Sequence, residues 1–257
     1  MEGLEERLRS ATELGPGPNP FTFSQKLAEV VPTEGRPLLV LELSNKSGDD
    51  SSMTPEDMAQ KAEDLIIAGA DGISVKVVDS ASEAELGMYL FHVCRKVAGR
   101  VPVFARDWFL HPLQLVEAKA AGCTGCIGVV ASVTGPKGTP VLSSFGAALG
   151  LDIPVEVVNI TELQSMEKMG VPFYAMNISV GLSVGIVGFS NDVVRGVLGE
   201  LPFGALSMVG ISEIDKAAAA RSAGADALYV RTELVHRFKG NESDLIQSIT
   251  SLVDGDD

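Results

Sequence analysis

Ala68-Gly-Ala-Asp-Gly-Ile-Ser-Val-Lys76 holds a helix end, a tight turn and the start of a strand in one short stretch. Glycine at the second position supplies a left-handed helix stop, and the small residues around it let the chain reverse directly into a strand. The arrangement returns at Ala121-Gly-Cys-Thr-Gly125 and again at Ala223-Gly-Ala-Asp-Ala227. A helix-to-strand turn repeated along one chain points to stacked strand–helix units. These turns mark the end of the fold that serves stability.

On either side of these turns, short apolar runs occur at Leu38–Leu43, Gly72–Val78, Val101–Ala105, Cys126–Ala131, Ile153–Val158, Phe173–Ile178, Ala205–Val209 and Ala227–Val230. None alternates strictly between apolar and polar, as expected of parallel strands buried on both faces. Helical stretches with start and stop signals separate them. Thr54-Pro-Glu-Asp57 places a cap, a first-turn proline and acids ahead of Met58–Ala68. Ser82-Glu-Ala-Glu85 opens a second helix, Pro112 stands near the start of a third, and Gly122 closes it. Thr161-Glu-Leu-Gln164 reads as a capping box, and Ser212-Glu-Ile-Asp215 starts a helix running to Gly224. Eight strands alternating with eight helices predict a closed (β/α)8 TIM barrel over 21–257, with 1–20 as a flexible N-terminal lead-in. A doubly wound open sheet fits the alternation less well.

Composition narrows the partners. The 257 residues are 46% hydrophobic, enough for one large core, and carry a formal net charge of −14. That charge argues against nucleic acid or an anionic membrane surface. No apolar run approaches the ~18 residues of a membrane span. The acidic start, Met1-Glu-Gly-Leu-Glu-Glu6, lacks the features of a signal or transit peptide. Three cysteines make no disulfide framework, so a soluble protein of a reducing compartment is expected, in cytoplasm or plastid stroma. Cys123-Thr-Gly-Cys126 is a lone C-x-x-C and reads as two small apolar residues. His92, His111 and His236 fall in or beside helices, without metal-ligand spacing. Met53, Met58, Met88, Met166 and Met169 read as helix packing residues.

In a barrel the chemistry sits where strands end and strand-to-helix loops begin. Those ends read Leu41-Glu-Leu-Ser-Asn-Lys-Ser47, Ile73-Ser-Val-Lys-Val-Val-Asp79, Val101-Pro-Val-Phe-Ala-Arg-Asp-Trp108, Leu149-Gly-Leu-Asp-Ile-Pro-Val-Glu-Val157, Tyr174-Ala-Met-Asn177, Val209-Gly-Ile211 and Ala223-Gly-Ala-Asp-Ala-Leu-Tyr-Val230. In this order they resemble the strand-end motifs of the indole-3-glycerol phosphate synthase family, in register from about Phe21 to Val235. That family closes an indole ring on an anthranilate-derived ribulose phosphate, losing CO2 and water. The resemblance implies a proton-donating cation, proton-shuttling carboxylates and a phosphate grip.

Carried over by position, the inheritance is mixed. Glu42 and Glu156 match the family's carboxylates, and Asn177 its strand-six amide. Trp108 stands for an aromatic beside the anthranilate, Gly210 for a phosphate-contacting glycine, and Ser47 for a loop hydroxyl. The catalytic lysine of strand three, however, is Arg106, which grips anions but donates protons poorly near neutrality. The strand-one lysine is Ser44, the strand-seven Glu-Ser pair is Met208-Val209, and the strand-eight Gly-Ser contact is Arg231-Thr232. Arg231 can itself grip an anion. Lys76 replaces a leucine, and its i±2 relation to Ser74 faces it inward. After strand six an apolar loop, Val180-Gly-Leu-Ser-Val-Gly-Ile-Val-Gly188, replaces a polar one. Its Val180, Leu182, Val184, Ile186 and Val187 form a candidate protein interface or a plug over the mouth.

Glu42, Lys76, Arg106, Glu156 and Asn177 therefore allow two readings: a self-satisfied ion network inside a former enzyme, or a remodelled site for a phosphorylated or carboxylated small molecule. The first predicts a divergent family member that has lost synthase activity and serves as a binding or assembly protein. The second keeps an enzyme or sensor, including residual synthase (carboxy-lyase) activity of tryptophan biosynthesis. Neither implies a metal or an organic cofactor.

Overall fold

The computed structural model describes residues 22–46, 52–77, 83–97, 99–178, 191–238 and 240–254. Its strands are β1 (Leu38–Ser44), β2 (Gly72–Lys76), β3 (Val103–Arg106), β4 (Gly125–Ile127), β5 (Val129–Val130), β6 (Val155–Glu156), β7 (Phe173–Met176), β8 (Leu206–Ile211) and β9 (Ala227–Val230). All pair in parallel, in the order β4-β3-β2-β1-β9-β8-β7-β6-β5. Only Gly128 separates β4 from β5, so the two ends of the sheet meet and the eight-fold TIM-barrel architecture closes. Gly128 has φ 127°, and a Cβ there would lie 1.7 Å from the Asp107 carbonyl oxygen and 2.8 Å from Arg106 Nη1. The chain leaving β3 crosses so close to this strand that only glycine fits.

The helices are α1 (Phe23–Glu34), α2 (Pro55–Ala68), α3 (Glu83–Val97), α4 (Pro112–Ala120), α5 (Ala131–Ala148), α6 (Ile160–Glu167), α7 (Asn191–Gly199), α8 (Lys216–Ser222), α9 (Thr232–Arg237) and α10 (Glu242–Asp254). The glycines of the three repeated turns adopt the expected left-handed conformation, with φ of 114° at Gly69, 101° at Gly122 and 93° at Gly224. Thr54 caps α2 through the Asp57 amide, as its spacing predicts. The cap of α6 differs: Asn159 accepts from the Glu162 amide, and Thr161 lies inside the helix. Among the methionines, Met53 precedes α2 and Met169 follows α6, and both Met88 and Met169 are exposed, so only Met58 and Met166 are buried helix packing residues. Among the described residues no helix is long and apolar enough to cross a membrane.

The α1 helix has no place in a strict eight-by-eight alternation. Its Phe23 ring stacks on Phe173 with centroids 4.7 Å apart and meets Phe104 edge-on at 6.3 Å. Its amide donates to Asp152 Oδ2 at 2.8 Å. These contacts close the N-terminal end of the barrel.

Two apolar layers follow from strand periodicity. Leu39, Leu41 and Leu43 of β1 pack outward against helices, whereas Leu38 and Val40 face inward with Phe104, Phe173, Met208 and Tyr229. By the same alternation Glu42 and Ser44 point inward, nearer the C-terminal end of β1. The barrel interior is apolar below and polar above, which places charge at the mouth.

Candidate functional site

The strand register sets two rows at the mouth. Ser44 pairs with Lys76, Lys76 with Arg106, and Arg106 with Ile127; one step below, Glu42 pairs with Ser74 and Ser74 with Phe104. Lys76 and Arg106 thus stand side by side on the inward face of adjacent strands, whose backbones lie about 4.8 Å apart. Both are half-buried. Arg106 Nη1 donates to the carbonyl oxygens of Asp107 at 3.3 Å and Ile127 at 3.4 Å. A guanidinium held this way is a fixed positive charge. Trp108 follows on the rim and is 42% exposed.

The opposite wall is built around Arg231, only 3% exposed. Its guanidinium donates through Nη2 to the main-chain oxygen of Asn177. Burial pushes the Arg231 pKa down, and the carboxylates of Glu233, Glu156 and Glu42 oppose that shift. Asn177 itself is left-handed at φ 56°, a conformation asparagine tolerates better than most residues, and its Nδ2 donates to the Gly210 carbonyl at 2.9 Å. Gly210 is required by this contact, because a Cβ there would lie 2.1 Å from Asn177 O. Glu156, buried, accepts from the Ile178 amide at 3.0 Å. Glu42, also buried, accepts from the Thr232 amide at 3.1 Å, the first amide of α9. A carboxylate belonging to the chain therefore occupies the kind of backbone donor that barrels offer to phosphate.

Tyr229 OH and Ser74 Oγ, on the two strands that flank β1, hydrogen-bond at 3.0 Å. Burial drives the Tyr229 hydroxyl well above its ordinary pKa; the Glu42 charge adds to the shift, and Arg106 and the Ser74 hydrogen bond counter it. Ionised Tyr229 would be a second anion in a closed space. Beside β1 lies a cavity of about 410 Å³, lined in part by Glu42, Ser44, Asn45, Asp57, Lys61 and Glu242. A Lys61–Glu242 ion pair spans part of it.

The positions singled out in the sequence thus fall into three groups. Glu42, Glu156, Asn177, Gly210, Arg231 and Thr232 form one bonded wall, with Thr232 contributing its amide. Lys76, Arg106 and Trp108 form the facing rim. Ser47 and the apolar residues Val180, Leu182, Val184, Ile186 and Val187 lie outside the described residues. Met208 is fully buried in the inner layer and Val209 in the outer one, so the strand-seven pair adds packing where the resemblance expected a carboxylate and a hydroxyl. Tyr229 and Ser74 escaped the sequence reading. Their signal was present, since Tyr229 shares strand parity with Arg231, and Ser74 with Lys76.

A family model described as indole-3-glycerol phosphate synthase matches residues 5–178, more than half of the chain. The stretch with Met208-Val209 and Arg231-Thr232 lies beyond that match. Among curated proteins, the indole-3-glycerol phosphate synthase of Streptococcus sanguinis strain SK36 is 27% identical over 137 residues, 53% of this chain and 50% of that protein. The enzyme of the same name from Streptococcus mutans serotype c is 28% identical over 121 residues, covering 47% and 46%. This chain's matches span about half the length of these relatives. Among solved structures, (S)-3-O-geranylgeranylglyceryl phosphate synthase from Thermoplasma acidophilum, in complex with sn-glycerol-1-phosphate, superposes with a TM-score of 0.63. It is 13% identical and covers 92% of this chain and 100% of that one, a likeness of fold alone.

Proposed function

The chain belongs to the indole-3-glycerol phosphate synthase family, and from that premise we propose that it is a non-catalytic member, kept as a binding or assembly protein. One observation carries the reading. The phosphate end of the mouth is filled from within, by the buried Arg231 guanidinium on Asn177 O and by the Glu42 carboxylate on the Thr232 amide. A substrate phosphate would have to displace a carboxylate and move a buried cation. Chemistry is missing as well. At the position of the proton-donating lysine stands a guanidinium, a poor acid near neutral pH. Met208 brings no carboxylate to the strand-seven position.

The assembly part of the proposal rests on the apolar composition of Val180–Gly188 and on Trp108 and Leu110 at the rim, both exposed. Its test is the solution mass of the full chain, followed by capture experiments in which Trp108→Ala competes with wild type. A monomer that retains nothing specific would remove this part.

A second reading is favoured by the Lys76–Arg106 row. Two like charges on paired strands repel, and an anion between them relieves the repulsion. Under this reading the mouth binds a carboxylated or phosphorylated small molecule at the rim without turnover. Inorganic phosphate, citrate and anthranilate are the probes. A rise in melting temperature that vanishes in Lys76→Ala and Arg106→Ala supports rim binding, and no rise with any of them rejects it.

A further inference from the structure

Away from the mouth, the wall flanking β3 contains Cys94, Cys123 and Cys126, all free. Cys94 lies in α3 and is partly exposed, whereas Cys123 and Cys126 are buried. Cys123 sits in the turn from α4 into β4, with its amide bonded to Ala118 O at 3.1 Å. The C-x-x-C spacing suggests Cys126 as its partner, but Cys126 is already inside β4. Burial pushes the Cys123 thiol up, and Cys94, from the neighbouring helix, adds more to that shift than Cys126 does. Backbone geometry agrees. At Gly122 a Cβ would lie 3.1 Å from Cys94 Cβ and 3.7 Å from its Sγ. Only a glycine in this left-handed turn lets α3 approach closely enough for the Cys94 side chain to rest against the residue before Cys123.

We propose that Cys94 and Cys123 form a dithiol pair that low-molecular-weight disulfides, such as glutathione disulfide, oxidise to a bridge between α3 and the α4–β4 turn. In the first step the partly exposed Cys94, as its thiolate, attacks one sulfur of the small disulfide. The small disulfide's S–S bond breaks, one thiolate leaves, and a mixed disulfide remains on Cys94. In the second step Cys123 gives its proton to solvent and displaces the second small thiolate, forming the protein S–S bond. Two protein thiols lose two electrons in all, and one small disulfide becomes two small thiols. Burial pushes the Cys123 thiol well above its ordinary pKa, so this second displacement is the slow one. Cys126 stays reduced, because Cys94 packs against the turn that carries Cys123, whereas Cys126 lies within β4. The segment closed by the bridge carries β3 with Arg106 and Trp108, so oxidation ties together the two helices that flank the cationic rim.

The test uses the full chain as wild type, Cys94→Ser, Cys123→Ser and Cys126→Ser, each exposed while folded to glutathione buffers of increasing oxidised fraction. Samples are quenched in acid, alkylated and weighed intact. Wild type and Cys126→Ser should each lose two alkylatable thiols and two hydrogen masses, without retained glutathione, and digestion should join the Cys94 and Cys123 peptides. Cys94→Ser should keep both thiols, and Cys123→Ser should stop at a glutathione adduct on Cys94. A persistent glutathione adduct on wild type would overturn the proposal. So would a Cys123–Cys126 bridge, or full alkylation at every buffer ratio.

Discussion

Arg231, at the end of β9, donates from its buried guanidinium to the main-chain oxygen of Asn177 at the end of β7. The contact spans β8 and fixes the left-handed turn at Asn177, whose amide in turn grips Gly210. Glu42 and Glu156 bond to the amides of Thr232 and Ile178 on either side. The result is a belt of polar contacts at the end of the mouth where a barrel of this kind binds phosphate.

Removing Arg231 should damage the fold itself. Arg231→Ala leaves Asn177 O without its donor and takes one positive charge away from Glu42 and Glu156. Loss of one partner from a buried charged cluster costs about 3–5 kcal/mol. Urea unfolding should show a loss of that order, with Arg231→Lys falling between the variant and wild type. A loss near zero would mean that the belt relaxes or admits water freely.

Two glycines should resist alanine for steric reasons. Gly128→Ala places a Cβ 1.7 Å from Asp107 O at φ 127°, and Gly210→Ala places one 2.1 Å from Asn177 O. Each should lower stability by more than about 2 kcal/mol, the range of strained backbone and core overpacking. Thermal denaturation of the two variants checks this, with Gly204→Ala as a control in which strain alone operates, since nothing lies near its Cβ.

The α1 helix should act as a plug and not as a decoration. Phe23 is fully buried against Phe173 and Phe104, and Phe23→Ala should cost about 3–5 kcal/mol by cavity formation. Equilibrium unfolding reads the value, and a change under about 1 kcal/mol would show that the end of the barrel is closed without it.

Asp152 gives a pH signature with a defined sign. Burial raises its pKa above the ordinary 3.8, partly offset by the bond from the Phe23 amide. The folded state therefore holds this proton more tightly than the unfolded state. Its contribution to stability is fully present below the unfolded pKa and is lost as pH rises through the folded value. The stability difference between wild type and Asp152→Asn should shift against wild type from about pH 4 upward, then level off. An unchanged difference across that range would contradict the assignment.

Much of the barrel was legible because its signals are local. The Ala-Gly-Ala-Asp turns, the Thr54 cap and the apolar runs each depend on a few neighbouring residues. The α1 plug was not, because Phe23 matters through Phe104 and Phe173, far along the chain. At the mouth, strand parity turned Lys76 inward, and the register then set it beside Arg106. That Glu42 bonds a backbone amide, or that Arg231 turns onto Asn177 O, depends on how the strands are staggered around the closed barrel. Parity says which residues face inward, and only register says which of them meet.

Loss of synthase chemistry is tested by indole-glycerol phosphate formation from the family's carboxyphenylamino-deoxyribulose phosphate, followed by fluorescence at high protein concentration. Folded wild type should give no product above a protein-free control. Turnover that disappears in Glu156→Gln would contradict the claim, and would mean that the site works around Arg106 in place of the lysine.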